Sequence, residues 1–153
     1  RTETAAPMRA AARAAARSRI PSVCPVAGGL FTSGFGLRRD PFTDRQAFHR
    51  GVDFSVPTGT PVRATAAGTV ASVGMENGLG LTVIVDHGDG VTTVYGHLDS
   101  ASAEPGQRVA RGDVVAASGS TGRSTAPHVH YEVRVGGRSV NPLGYILDDF
   151  ARR

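Results

Sequence analysis

Residues 128–135 read His-Val-His-Tyr-Glu-Val-Arg-Val, an alternation with a period of two. On a strand that period sends Val129, Tyr131, Val133 and Val135 to one face and His128, His130 and Glu132 to the other. The apolar face belongs to a core. The opposite face carries two imidazoles where core residues would otherwise sit, and burying them without partners is costly. A polar cleft over that face resolves the conflict. The chain is therefore expected to build a sheet with one packed side and one side that carries a site.

The rest of the sequence fits such a sheet. From Leu30 onward, short β-type runs stand between glycines, of which there are 20 in 153 residues. Thr69–Val73, Leu81–Asp86, Val91–Leu98, Val114–Ser118 and Val129–Val135 read as strands. The His87-Gly88-Asp89-Gly90 connection contains Asp-Gly and predicts a four-residue hairpin link. Strands this close together, with no helical stretch between them, imply a mainly β fold: a compact antiparallel sheet or sandwich with a loop-walled groove. Residues 1–25 differ. They are rich in Ala and Arg, with high helix propensity from Met8 to Arg19 and little apolar face beyond alanine. Pro21 and Pro25 break that pattern. The expected organisation is an N-terminal helical or disordered tail over 1–25 and one domain over 26–153.

Composition removes several classes of function. The net charge is +4, and every basic side chain other than histidine is arginine. Without lysine there is no Schiff base and no biotinyl or lipoyl attachment. No base-stacking aromatics accompany the arginines, so no nucleic-acid partner is expected. No apolar run is long enough to cross a membrane. Cys24 is the one cysteine, which excludes an internal disulfide and a thiolate zinc cage.

The histidines carry the chemistry. His49 and Asp53 form an H-x-x-x-D pair, with Gly51 expected to let the chain bend between them. Asp53 leads into Phe54-Ser55-Val56-Pro57 and is expected at the edge of ordered structure. Tyr95-Gly96-His97 ends a strand, so Tyr95 and His97 are expected to share a face; Tyr95 serves either the core or a substrate. His87, in the hairpin turn, reads as a surface or satisfied residue. A catalytic zinc takes three imidazole or carboxylate ligands and keeps a position open. His49, Asp53 and one histidine of the His128/His130 pair make that set. The others remain for proton transfer or oxyanion stabilisation. Glu132, on the histidine face, reads either as an acceptor behind a ligand or as an exposed strand residue. Ser118–Thr125 reads as a polar loop, either a groove wall or a plain connection.

Taken together, these residues resemble the lysostaphin/LytM-type zinc metalloendopeptidases, from about Leu30 to Tyr145. The resemblance rests on Thr32-Ser33-Gly34-Phe35-Gly36, Phe48-His49 with Asp53, Pro57-Thr58-Gly59-Thr60-Pro61-Val62, Asp86-His87-Gly88 and Tyr95-Gly96-His97-Leu98. It continues through Gly106-Gln107-Arg108-Val109, Gly119-Ser120-Thr121-Gly122, Pro127-His128-Val129-His130-Tyr131-Glu132 and Val140-Asn141-Pro142. Ala126 and Val129 stand where that family commonly has glycine and leucine; neither change removes a ligand. The resemblance implies one zinc ion held by His49, Asp53 and His130, with His97 and His128 as the non-ligand active-site histidines. It implies an endopeptidase that uses a metal-activated water on the peptide stems or cross-bridges of bacterial peptidoglycan, and hence a place in the cell envelope. The tail adds a surface for a regulatory protein. Three rival readings are a non-catalytic wall-binding or regulatory module of the same fold, a carrier or phosphohistidine domain, and a cupin. The first typically loses a metal ligand, the second lacks its lysine or does not need this many ligands, and in the third H-x-H usually comes before the later ligands.

Overall fold

The computed structural model describes residues 2–40 and 42–148, with side chains from residue 7 onward. Arg1 of the expected tail, and Pro41 and residues 149–153 of the expected domain, lie outside the described residues. One helix, α1 (Thr2–Ser18), leads into a succession of antiparallel strands. These are β1 (Leu30–Ser33), β2 (Gly36–Arg39), β3 (Gln46–His49), β4 (Val52–Ser55), β5 (Pro61–Arg63) and β6 (Gly68–Glu76). They continue with β7 (Gly80–Gly88), β8 (Val91–Ala101), β9 (Arg108–Val109), β10 (Val114–Ser118), β11 (His128–Val135) and β12 (Arg138–Val140). Among the described residues, β2 and β3 form a separate two-stranded ribbon. The others make one sheet in the order β1-β4-β11-β8-β7-β6-β9, extended by β10 and β5 beside β8 and by β12 beside β11.

All five runs expected as strands are strands. The four-residue loops and runs around them hid several more, because a strand of two to four residues is too short to display a period. The hairpin differs from its expectation in length. β7 continues through Gly88, which pairs with Val91 and leaves Asp89-Gly90 as the link. Both link residues have positive φ, 52° and 78°. That is the backbone of a type I′ turn, whose twist matches that of the flanking strands.

Alternation along β11 does what the sequence demands. Val129, Tyr131 and Val133 are fully buried beside Val52, Phe54, Val83, Val85 and Leu98. Tyr131 stands opposite Tyr95 of β8, with ring centroids 5.5 Å apart. Val135, at the strand end, is exposed. Helix α1 lies on the surface, and its last turn is tied down. The Ala67 N–H donates to the Ser18 carbonyl at 2.7 Å, and Arg111 donates to the carbonyls of Arg17 and Ile20, both at 2.9 Å. Cys24 and Val26 then enter the core. No described helix is long and apolar enough to cross a membrane.

The core also holds a chain of polar groups. His87 is not on the surface; it is 1% exposed and satisfied at both ring nitrogens. The Ala67 carbonyl can only accept, so His87 Nδ1 donates to it (2.8 Å) and Nε2 accepts from the Thr93 hydroxyl (2.7 Å). Thr93 Oγ1 in turn accepts from the Tyr95 hydroxyl at 2.8 Å. The Tyr95 oxygen accepts from Thr65 through its N–H (3.1 Å) and its hydroxyl (3.2 Å), and Thr65 Oγ1 accepts from Tyr131 at 2.8 Å. One carbonyl thus fixes the direction of every hydroxyl behind it. Burial pushes the His87 pKa down, which keeps the ring neutral and its acceptor free.

Cutting this chain in the middle strands a buried acceptor and a buried donor. Thr93→Val keeps the shape of the side chain and removes its hydroxyl. It is expected to lower the unfolding free energy by roughly 2–4 kcal/mol, as two unsatisfied groups do, with an unchanged denaturant slope in urea titrations.

Candidate metal centre

β11 lies between β4 and β8, and the site forms where those three strands meet. His130 stands opposite Asp53 of β4 on one side and Gly96 of β8 on the other. Asp53 is therefore inside a strand flanked by β1 and β11, and not at the edge of ordered structure. The runs on either side of it are simply too short to read as strands. His49 ends β3, and Arg50-Gly51 carries the chain over β11 into β4. The chain bends at Gly51, as expected, and space is a second reason for glycine there. Its φ is unexceptional, but a Cβ would run into the Tyr131 carbonyl oxygen and the Glu132 Cγ.

His97 arrives by a β-bulge. Between the pairs Leu81–Leu98 and Val83–Tyr95, β8 spends one residue more than β7. The extra residue is His97, whose φ is +59° and whose N–H donates to the Leu79 carbonyl at 2.6 Å. A left-handed conformation costs a residue with a Cβ about 1–2 kcal/mol. Here it cancels the alternation: Tyr95 stays in the core with Tyr131, while His97 turns to the histidine face. Tyr95 and His97 therefore do not share a face, contrary to the period-two expectation, and Tyr95 belongs to the core and not to a substrate site.

Each imidazole of the site is held by one nitrogen and presents the other. His49 Nδ1 donates to the Gly34 carbonyl at 2.7 Å, leaving Nε2. His130 Nε2 is bonded to Glu132 at 2.8 Å, leaving Nδ1. Glu132 is the buried acceptor behind His130, held in turn by Nε and a terminal nitrogen of Arg134, both at 2.9 Å. His97 Nδ1 donates to the Thr121 carbonyl (2.7 Å) and His128 Nδ1 to the Ala126 carbonyl (2.8 Å), leaving Nε2 on both. Ser124 Oγ lies 3.2 Å from the same nitrogen of His128. Such outer partners fix tautomer and ring orientation at metal sites.

The free atoms converge. Asp53 lies 2.9 Å from His130 Nδ1 and 3.3 Å from His49 Nε2, and those two nitrogens are 3.2 Å apart. His49, Asp53 and His130 form the cluster, among the described residues, whose donor atoms all lie within 4.8 Å of one another. Two imidazole lone pairs and a carboxylate facing one another need a cation between them. This donor set suits a borderline divalent ion with an open coordination position. Without an ion, a proton substitutes. Burial pushes the His130 pKa down, but hydrogen bonds to Asp53 and Glu132 outweigh it and raise it to about 9. Burial likewise pushes Asp53 up, and its bonds to His130 and His49 overcome that to leave it well below the usual carboxylate range. His97 moves the other way: burial and the nearby imidazoles lower it to about 4, so it is neutral at pH 7.

His97 and His128 stand side by side above the cluster, with ring centroids 4.5 Å apart. All five expected site residues line one open cavity of about 730 Å³. The loop after β10 supplies a wall through Arg123, Ser124 and Thr125, so its polar character is that of a groove wall. The cavity also takes in Arg38, Asp40 and Phe42, which carry no motif in the sequence. Arg123 sits 4.5 Å from the Phe42 ring centroid and 3.7 Å from Asp40, joining two walls. No sequence motif signals such a contact, because its partners lie about eighty residues apart.

The chain matches the model of Peptidase family M23 over residues 47–142. It is 42% identical over 123 residues to a DD-carboxypeptidase/endopeptidase of Neisseria meningitidis serogroup B. That alignment covers 80% of this chain and 28% of the Neisseria protein. The chain thus spans under a third of the length of that curated relative. Among solved structures it is similar to a zinc-containing peptidase from Vibrio cholerae, with 36% identity and a TM-score of 0.71 over 86% of this chain and 39% of that one. It is also similar to the catalytic domain of the antimicrobial peptidase lysostaphin from Staphylococcus simulans. There the identity is 31% and the TM-score 0.71, over 76% of this chain and 91% of that domain. The family match takes in His49, Asp53, His97, His128 and His130, and the fold agrees with it: this chain belongs to peptidase family M23.

Proposed function

We propose that this chain is a zinc-dependent endopeptidase that hydrolyses amide bonds in the peptide stems or cross-bridges of bacterial peptidoglycan. The observation that carries the reading is the convergence of His49 Nε2, Asp53 and His130 Nδ1 beneath two further imidazoles. In this reading those three residues hold the zinc, and residues 26–153 form the catalytic domain behind a lead-in over 1–25. The substrate class draws on the family and on relatives named for that activity, and it locates the protein in the cell envelope.

Zinc, when bound, supplies Lewis-acid polarisation of the scissile carbonyl and lowers the pKa of a water. The chain's own residues provide the rest. His97 is neutral at pH 7 with Nδ1 tied to Thr121, so Nε2 is a proton acceptor aimed into the groove. His128, with Nδ1 tied to Ala126, offers Nε2 on the same side. The two ring centroids are 4.5 Å apart, so both nitrogens serve the same part of the groove. The pair can take a proton from the attacking water and return it to the departing amine. Each imidazole also offers an N–H to a developing oxyanion when it is the protonated partner. Glu132 and Arg134 keep His130 in the tautomer that presents Nδ1.

The assignment of roles separates by mutation. His49→Ala, Asp53→Ala and His130→Ala are expected to abolish both stoichiometric zinc and peptidoglycan hydrolysis. His97→Ala and His128→Ala are expected to keep zinc and lose roughly 10²- to 10⁴-fold in turnover, the range of a lost acid–base group. Metal analysis beside a muropeptide release assay reads both. Retention of zinc and activity by His130→Ala would contradict the ligand set.

The proton that His130 holds in the metal-free protein gives a pH dependence. Its pKa of about 9 lies above the ordinary value of 6.5, so the ring is charged through neutral pH. The ion must displace that proton, so apparent zinc affinity is expected to rise with pH. The slope is about tenfold per unit below pH 9, flattening above it. Competition titrations against a chelator of known affinity measure the slope; affinity independent of pH between 6.5 and 8.5 would contradict it.

A further inference from the structure

The β2–β3 ribbon delivers more than His49 to the site. Gly36 pairs with His49 and Arg38 pairs with Ala47, so those four residues share one face of the ribbon. Leu37 and Phe48 occupy the other face and are exposed. Glycine and alanine beside Arg38 leave room for its side chain to lie along the ligand-bearing face. Arg38 lines the cavity, and one of its terminal nitrogens stands 4.0 Å from Asp53 Oδ2.

That contact is not a formed ion pair. Arginine and carboxylate in good geometry meet at about 2.7–2.9 Å, usually through two parallel bonds. Arg134 reaches that distance on the far side of His130, with two nitrogens 2.9 Å from one oxygen of Glu132. Asp53 already spends its oxygens on His130 and His49. Among the described residues the Arg38 guanidinium makes no hydrogen bond; Asp40, the other carboxylate it acts on, is already bonded to the N–H groups of Phe42 and Thr43 and faces Arg123, and the Arg38 side chain is 35% exposed. Once Asp53 faces a divalent ion, its charge is outweighed, and Arg38 is left as a cation beside a net positive centre. Such an arrangement is unfavourable until an anion comes between, and a planar guanidinium is shaped for a carboxylate.

We propose that Arg38 is a substrate-binding residue whose guanidinium takes a free carboxylate carried by the residue next to the scissile amide, so that the groove selects acidic peptides over neutral ones. The proposal rests on the endopeptidase reading for the bond that is cut, but the carboxylate site itself is a property of the ribbon. A substrate with a carboxylate one residue from the reacting amide is gripped within reach of His97 and His128. A substrate of uncharged residues, such as a run of glycines, lacks that anchor.

The test uses two synthetic peptides that differ only in a free carboxylate or a carboxamide on the residue following the scissile amide. Cleavage by the zinc-loaded wild-type protein is compared with cleavage by Arg38→Gln. Binding is measured by calorimetry on His128→Ala with and without Arg38→Gln, and zinc content and circular dichroism are checked on every variant. With Arg38 present, the carboxylate peptide is expected to bind and be cut roughly 10- to 100-fold better than its twin, the worth of a hydrogen bond to a charged group. In Arg38→Gln that preference is expected to vanish, with zinc content unchanged and the carboxamide peptide little affected. Equal binding of the two peptides with Arg38 present, binding of neither, or a preference that survives Arg38→Gln would overturn the proposal. An equal loss on both peptides, which marks Arg38 as support for Asp53, would also overturn it. If calorimetry shows the Arg38-dependent preference and no peptide or peptidoglycan is cut, the carboxylate site stands and the endopeptidase reading falls.

Discussion

Two imidazole nitrogens and a carboxylate stand within hydrogen-bond distance of one another at the β4–β11 pair, and the surrounding structure exists to keep them there. Left to itself, such a group would rotate apart or pull in protons. It is prevented from rotating because the outer nitrogen of each ring is already used: Gly34 holds His49, and Glu132 backed by Arg134 holds His130. The same device fixes His97 and His128 through backbone carbonyls. Four rings with four outer partners define a centre in which every inner nitrogen points at one volume. That preorganisation allows a site to act without rearranging at the moment of reaction.

The scaffold serves this centre in two ways. β11 places His130 opposite Asp53 by register alone, since a shift of one residue would turn His128, His130 and Glu132 into the core. The other face of the same strand is locked by Tyr131, Val129 and Val133, and by the hydroxyl chain that runs from Tyr131 through Thr65, Tyr95 and Thr93 to His87. A satisfied buried network specifies one arrangement more sharply than an apolar core would. The strand that carries His128 and His130 is therefore held in register from its far side.

How much of this was legible in the sequence follows from the kind of signal each residue leaves. The His128–Val135 alternation is long enough to show its period, so strand, faces and the role of Val129, Tyr131 and Val133 could all be read. The H-x-x-x-D pair gave two members of the cluster but not their setting, and spacing left open which of His128 and His130 joins them. β3 and β4 are four residues each, and their register against β1 and β11 comes from tertiary pairing. His97 was found by its neighbours yet placed on the wrong face, because a period-two reading assumes no inserted residue and the bulge adds one. Gly51 was rightly singled out for its bend, but its close approach to Tyr131 leaves no mark in the sequence. Arg123 was legible only as part of a polar loop and Arg38 not at all, because their neighbours in the groove come from distant segments.

The chemistry of this centre depends on which atoms meet a metal ion. X-ray diffraction from zinc-loaded crystals, with anomalous data collected at the zinc edge, locates the ion directly. One peak is predicted, bonded to His49 Nε2, to an Asp53 oxygen and to His130 Nδ1, with His97 and His128 nearby but uncoordinated. A peak bonded to His97 or His128, or one lying away from Asp53, would contradict it.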